Sequence, residues 1–499
     1  MPAKKKAPKA PTKTPPKPTP AAKMVACWED DPGDPKLHPP LSPITVAAPN
    51  ASAQPLPFKI SGKTPTPAVF QPGTENFRYY AAAAALRRTA DFWGSILATG
   101  TSWQVGSTLP VILDDGVDLN AFYTRGDFQD KPGLHFFHDT VSGRTFFSGE
   151  SPDVCCHEMG HAVLDAIRPQ LFDAQTIEAP AFHESFGDMS AILSALQVAS
   201  FRQEVVNETG GTINRASRLS RLAEQLGAAI RVQHPDSVDP DCLRNAANSF
   251  FYRDPQTLPP SAPANQLSSE PHSFSRVFTA AFLDALAGIF RLQGSAPAAD
   301  DLKKSTVDAA RILVGAVLAA PVVPDYFSQV AAHMIAASQT APFDGKYKDV
   351  LKSAFVRRGI LSLQAATTVT SVQPRALRRA AAAAPSESAE LPRATISAAA
   401  YGLSRGALVV HTAGQPKRLA VTSAALTLGP LEPRSPQNAA ESFTEDLFQR
   451  GRVEVGQHAH PDTGLVHPLA FRTHYIVEED GELVLRRRSF DCGFDSARF

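Results

Sequence analysis

The run Cys156 His157 Glu158 Met159 Gly160 His161 places two imidazoles one helical turn apart with a carboxylate beside the first. Residues i and i+4 share a helix face, so His157 and His161 can both reach one cation. Glu158, one step around, faces water near that cation, and the expected chemistry is metal-assisted hydrolysis of an amide. The helix that must carry them is signalled at both ends. Ser151 is an N-cap, Pro152 fits the first turn, Asp153 sits at the positive end of the dipole, and Pro169 follows Arg168 as a stop. These signals predict a helix from about Pro152 to Ile167. The bland alternative is a buried helix whose two histidines merely hydrogen-bond.

A catalytic zinc takes a third protein ligand and leaves the fourth position to water. Leu164 and Ile167 stand where a Gly and a His would have to extend the first motif, so the third ligand must come from elsewhere. Pro180 to Leu193 reads as a second apolar-periodic helix, with Glu184 and Asp188 on one face. Glu184 can bind the metal while Asp188 accepts the far ring N–H of a ligating histidine and fixes its tautomer. Otherwise the two are solvated acids on a surface helix.

With these residues the chain resembles the thermolysin-like zinc metallopeptidases. His157, Glu158 and His161 match the first motif of that family, and Glu184 with Asp188 match its second. Asn120 Ala121 Phe122 Tyr123 resembles the edge-strand segment whose Asn side chain and Ala carbonyl hold the substrate backbone. Leu243 Arg244 Asn245 resembles the segment with the substrate-binding arginine, and Pro271 His272 Ser273 the one with the oxyanion-stabilising histidine. The similarity runs from about Arg78 to about Ile360. It implies one Zn2+ held by His157, His161 and Glu184, Glu158 as general base, His272 as oxyanion donor, and Asn120, Ala121 and Arg244 as substrate contacts. Val154 and Leu243 would wall an apolar pocket for the residue after the cut. The implied fold is α+β, with a β-containing lobe and a helical lobe meeting at the zinc.

The chain also departs from the family. No Tyr lies between Ala162 and His183 as a second oxyanion donor. Leu267 stands where an aspartate would orient the oxyanion histidine, with Glu270 the nearest substitute. Asp153 matches one calcium ligand, but Ala195 and Gln203 stand near positions where carboxylates are expected, which leaves calcium dependence doubtful. A zinc-binding pseudoenzyme or an interaction scaffold are the competing functional classes.

The 499 residues suffice for a large core, and 49 basic against 49 acidic residues argue against the folded part being a nucleic-acid binder; a peptide or protein partner is what the resemblance implies. Five cysteines form neither a zinc spacing nor an even disulfide framework, and Cys155 and Cys156 read as small buried thiols. Residues 1–40, rich in Lys, Pro and Ala, read as a disordered tail. No apolar run follows Lys4 Lys5 Lys6, so neither a signal peptide nor a membrane span is expected, and the chain would be cytoplasmic or exported by a non-classical route.

The peptidase domain is expected over 41–362, with helices near 74–98, 213–230, 273–292, 298–319, 326–337 and 346–357. Strands are expected at 109–113 and 120–123, a hairpin of 134–138 with 144–147, and a Pro-rich loop over 248–269. A linker over 363–393 would lead to a β-rich accessory module over 394–499, with strands at 408–411, 419–428, 475–477 and 483–486 and a turn at Asp480 Gly481. His458, His460, His467 and His474 lie there in no standard metal spacing.

Overall fold

The computed structural model describes residues 23–38, 41–371, 390–415, 435–459 and 472–492, and these build an α+β protein. Its helices are α1 (Glu75–Gly94), α2 (Pro152–Ile167), α3 (Gln170–Asp173), α4 (Glu178–Ala195), α5 (Ala199–Thr209), α6 (Glu224–Gln233), α7 (Pro271–Arg291), α8 (Ala299–Ala319), α9 (Tyr326–Ser338), α10 (Lys348–Arg357), α11 (Leu363–Ser371) and α12 (Pro436–Gln449). The predicted N-cap of α2 forms, and α1 and α7 are capped in the same way. Ser151 accepts from the Val154 N–H at the start of α2, Thr74 accepts from the Phe77 N–H at the start of α1, and Glu270 accepts from the Ser273 N–H at the start of α7.

The main sheet has five strands in the order β16 (Ser489–Asp491), β5 (Ala121–Thr124), β6 (Gly133–Phe136), β4 (Leu109–Ile112), β3 (Phe58–Ile60). Here β5 pairs antiparallel with both neighbours, while β6, β4 and β3 run parallel. The predicted edge strand at 120–123 is therefore an interior one, because a segment from the far end of the chain pairs along its open side. The hairpin is also shifted. His138–Val141 (β7) pairs with Arg144–Phe147 (β8) around Ser142 and Gly143, both at positive φ, and β6 belongs to the main sheet instead.

Two further expectations are corrected. Residues 213–230 are not one helix: α5 ends at Gly210 in the left-handed region, and Arg221–Leu222 (β9) pairs with Arg244–Asn245 (β10) before α6 begins beyond Ala223, itself at φ 51°. That pairing brings Arg244 toward the metal helices. Residues 23–38 are not part of a disordered tail, since Met24–Cys27 (β1) pairs with Ile44–Ala47 (β2) and Trp28, Asp30 and Asp31 are buried. Apolar Val25, Ala26, Cys27 and Trp28 supply the burial that fixes this strand.

Among the described residues α7 alone has the length and hydropathy of a membrane span, and it lies wholly inside the fold. The C-terminal residues form a second five-stranded sheet, Arg393–Ser397 (β11), Ala407–His411 (β12), Glu482–Arg487 (β15), His474–Glu479 (β14) and Val453–Glu454 (β13), with α12 beside it. The turn at Asp480 and Gly481 has positive φ at both residues, as a two-residue hairpin needs. Helix α12 was not foreseen, α11 occupies part of the predicted linker, and the strand expected at 419–428 lies outside the described residues. Nor is this sheet separate. Arg487 Nε donates to the Phe172 carbonyl (2.8 Å), Gln175 N to the His411 carbonyl (2.9 Å), and β16 crosses into the main sheet.

The N-terminal strap carries Asp30 and Asp31 in against Asp153 and Glu224. Asp31 accepts from Gly33 N (2.9 Å) and Gln225 N (2.8 Å), and Asp153 accepts from Ala223 N (3.0 Å). Burial holds these aspartates above the ordinary carboxylate range, helped at Asp30 and Asp153 by repulsion from neighbouring carboxylates, and takes Asp153 up to about 8. A carboxyl whose folded pKa exceeds its unfolded one binds more protons folded, so its contribution is favourable below the unfolded value and turns against folding as pH rises through the folded one. Asp153→Asn should accordingly raise Tm by about 2–4 °C at pH 8.5 in scanning calorimetry, and by less toward pH 5. An equal difference at both pH values would contradict this assignment.

Candidate metal centre

Helices α2 and α4 cross where neither carries a side chain. A Cβ on Gly160 would lie 2.8 Å from Ser190 Cβ and 3.0 Å from Gly187 Cα, and a Cβ on Gly187 would lie 2.6 Å from the His157 ring. An interior helical glycine costs roughly 1 kcal/mol relative to alanine, and here it permits backbone contact. Ser190 Oγ locks the crossing by donating to the Cys156 carbonyl (2.9 Å) and accepting from Trp93 Nε1 (3.0 Å).

The crossing brings the three expected ligands together. Glu184 Oε2 lies 3.3 Å from His157 Nε2 and Oε1 lies 3.6 Å from His161 Nε2, and one donor atom from each residue falls within 4.8 Å of the others. The two imidazole planes stand at 84°. Asp188 Oδ1 is 3.1 Å from His157 Nδ1, an arrangement in which Nδ1–H donates to the carboxylate and Nε2 turns its lone pair inward. Asp188 is itself held by Arg244 (3.0 Å) and by the Thr279 hydroxyl (3.4 Å). Both acids are buried, so the solvated-acid alternative does not describe them.

A divalent cation fits this donor set. Both ring nitrogens of His161 and both carboxylate oxygens of Glu158 are buried with no hydrogen-bond partner among the described residues, a costly state unless something else satisfies them. Burial holds His161 well below the ordinary imidazole range, which keeps it in the neutral form that ligates metals. His157 behaves oppositely. Burial disfavours its charge, but hydrogen bonds to Asp188 and Glu184 outweigh that and hold it up at about 9, so the carboxylates draw positive charge into the pocket. Burial lifts Glu158 to about 8. Asp188 would rise for the same reason, yet Arg244 and His157 take it down to about 2.

His272, at the start of α7, reaches the same place. Its Nε2 lies 3.3 Å from Glu184 Oε2, and its Nδ1 contacts Glu270 Oε1, so Glu270 does the orienting that Leu267 cannot. Burial opposes a charge on His272, but Glu184 and Glu270 raise it to about 9. Arg244 spends one arm on Asp188, while its Nε has no partner among the described residues. Val154 on α2 and Leu243 beside β10 are both buried. Asn120 departs from expectation: its Oδ1 accepts from the adjacent Ala121 N (2.8 Å). The Ala121 carbonyl, expected to hold a substrate amide, accepts from Cys492 N (2.8 Å).

The Cys492 sulfur, a His157 ring nitrogen and a Glu158 oxygen also lie within 4.8 Å of one another. Sequence reading passed over Cys492, Phe490 and the two glycines. The glycines carried a signal, since each interrupts an otherwise helix-forming motif, whereas nothing local marks residues 490 and 492. Near the expected calcium position, Asp153 has no carboxylate from Ala195 or from Gln203, whose amide donates to Asn207, and Asp30, Asp31 and Glu224 lie there instead. His474 is buried against Thr473, and neither it nor His458 joins a three-donor group among the described residues; His460 and His467 lie outside them. No protein-family model and no curated protein sequence matches this chain.

If the glycine contact sets the ligand spacing, Gly187→Ala should push the His157 ring aside, destabilise the fold by about 1–3 kcal/mol and weaken zinc binding in a chelator competition. Unchanged Tm and zinc affinity would show that the crossing has slack.

Proposed function

We propose that this chain is a zinc-dependent endopeptidase of thermolysin-like, two-lobed architecture. The observation that supports this best is the buried trio His157, His161 and Glu184 beside an unpartnered Glu158, since metal binding alone gives Glu158 no task. When bound, zinc would polarise the scissile carbonyl and acidify a water. Glu158 takes the water's proton on a carboxylate oxygen and later delivers it to the leaving nitrogen, a role suited to a carboxyl raised toward neutral pH. His272, oriented by Glu270, donates from Nε2 to the carbonyl oxygen as charge grows there; one such donor is worth roughly 10²–10³ in rate. Arg244 presents its guanidinium to the carbonyl beyond the cut, and the Ala121 carbonyl aligns the peptide as an added strand on β5. Val154 and Leu243 favour an apolar residue after the cut. Five unpaired buried thiols suit a reducing setting such as the cytoplasm, or export that preserves it.

A pseudoenzyme reading draws on one observation, that β16 lies where a peptide would lie. The test is casein hydrolysis by the zinc-loaded chain: Glu158→Gln should retain zinc and lose roughly 10²–10⁴ in rate. Equal rates for wild type and Glu158→Gln at equal zinc content would favour the pseudoenzyme.

A further inference from the structure

The strand β16 runs antiparallel along β5, with Asp491 opposite Phe122 and Phe490 opposite Tyr123, and the next residue donates its amide to Ala121. Two of the features expected to meet a substrate, the Ala121 carbonyl and His272, already grip this segment. His272 Nε2 meets the Asp491 carbonyl, and Arg452 Nη1 lies 3.4 Å from the Asp491 carboxylate. Phe490 stacks on His183 at 3.9 Å and on His161 at 5.1 Å, so its ring covers the second ligand. Arg487 in turn lies 4.4 Å over the Phe490 ring. Among the described residues, a cavity of about 30 Å³, room for a water or two, lies beside Glu184 and His272.

We propose, resting on the peptidase reading above, that residues 489–492 are a built-in inhibitory strand and that the Cys492 sulfur is the fourth donor to the metal. A catalytic zinc site keeps one position open and a structural one is closed by protein ligands. Cys492 Sγ lies within 4.8 Å of a His157 nitrogen and of a Glu158 oxygen, which puts a thiol beside the first expected ligand and the expected base. Sulfur–metal bond formation releases the Sγ proton to solvent, and the reverse exchange returns a proton to sulfur and reopens the position. The device also gives the C-terminal sheet a task. Its last strand β15 leads through Arg488, held to Asp127 at 2.6 Å, straight into the inhibitory strand, while Phe443 and Leu447 of α12 wall the residual cavity. A chain kept closed by its own strand β16 is activated by whatever lifts that strand from β5.

Cobalt(II) in place of zinc reads the claim without turnover. The full-length cobalt-loaded wild type should show the near-ultraviolet sulfur-to-cobalt charge-transfer band, and Cys492→Ser, equally loaded, should lack it. If the closed form holds nine-tenths of the molecules, Cys492→Ser with zinc should hydrolyse casein about tenfold faster, and Phe490→Ala, which loosens the same strand by a different contact, should move in the same direction. A wild-type spectrum without the band overturns the ligand assignment, and a band accompanied by equal casein rates in all three proteins overturns the inhibitory role. Loss of the band in Cys492→Ser with no hydrolysis that Glu158→Gln diminishes leaves the sulfur ligand standing and sinks the peptidase reading and the inhibitory role that rests on it.

Discussion

The site depends on one contact, the place where α2 and α4 touch at Gly160 and Gly187. Helices normally pack about 8–10 Å apart, at a distance set by the side chains between them. With hydrogen in place of two side chains, the helices close far enough for a glutamate on one to stand 3.3 Å from an imidazole on the other. A cation placed between them would meet three donors without any loop having to move. The residues around the crossing secure it, through Ser190 bonding back to Cys156 and Asp188 to His157. Burial then does the electrostatic work, keeping His161 neutral and lifting Glu158.

Around that contact the charges form a chain. Arg244 holds Asp188, Asp188 holds His157, and Glu270 holds His272, so every side chain expected to meet the metal or the carbonyl, Glu158 and His161 excepted, has a partner fixing its orientation. Such partners decide which ring nitrogen carries the proton and hence which faces the metal. The two groups left without a partner are the ones whose expected partners are the cation and the water it activates.

Much of this was legible in local chemistry. The bounds of α2 followed from Ser151, Pro152 and Pro169, because capping is decided within a few residues. The pairing of His157 and His161 with Glu184 and Asp188 followed from i, i+4 spacing on two helices. Helices α7 to α10 were visible because apolar periodicity over ten or more residues is a strong signal. What escaped depends on distant pairing. Whether β5 is an edge depends on residues 489–491, more than 360 positions away in sequence, and no local pattern announces that partner. The break near Ala223 hid inside a run with helical spacing, since a single left-handed residue is cheap to miss. The N-terminal strap was lost for the opposite reason, a composition argument carried past Lys23 into residues that bury well.

Zinc-edge anomalous diffraction from crystals of the zinc-supplied protein tests the central claim most directly. A single peak between His157 Nε2, His161 Nε2 and the Glu184 carboxylate is the expected result. Zinc bound elsewhere on the chain, with that space empty of anomalous density, would contradict it.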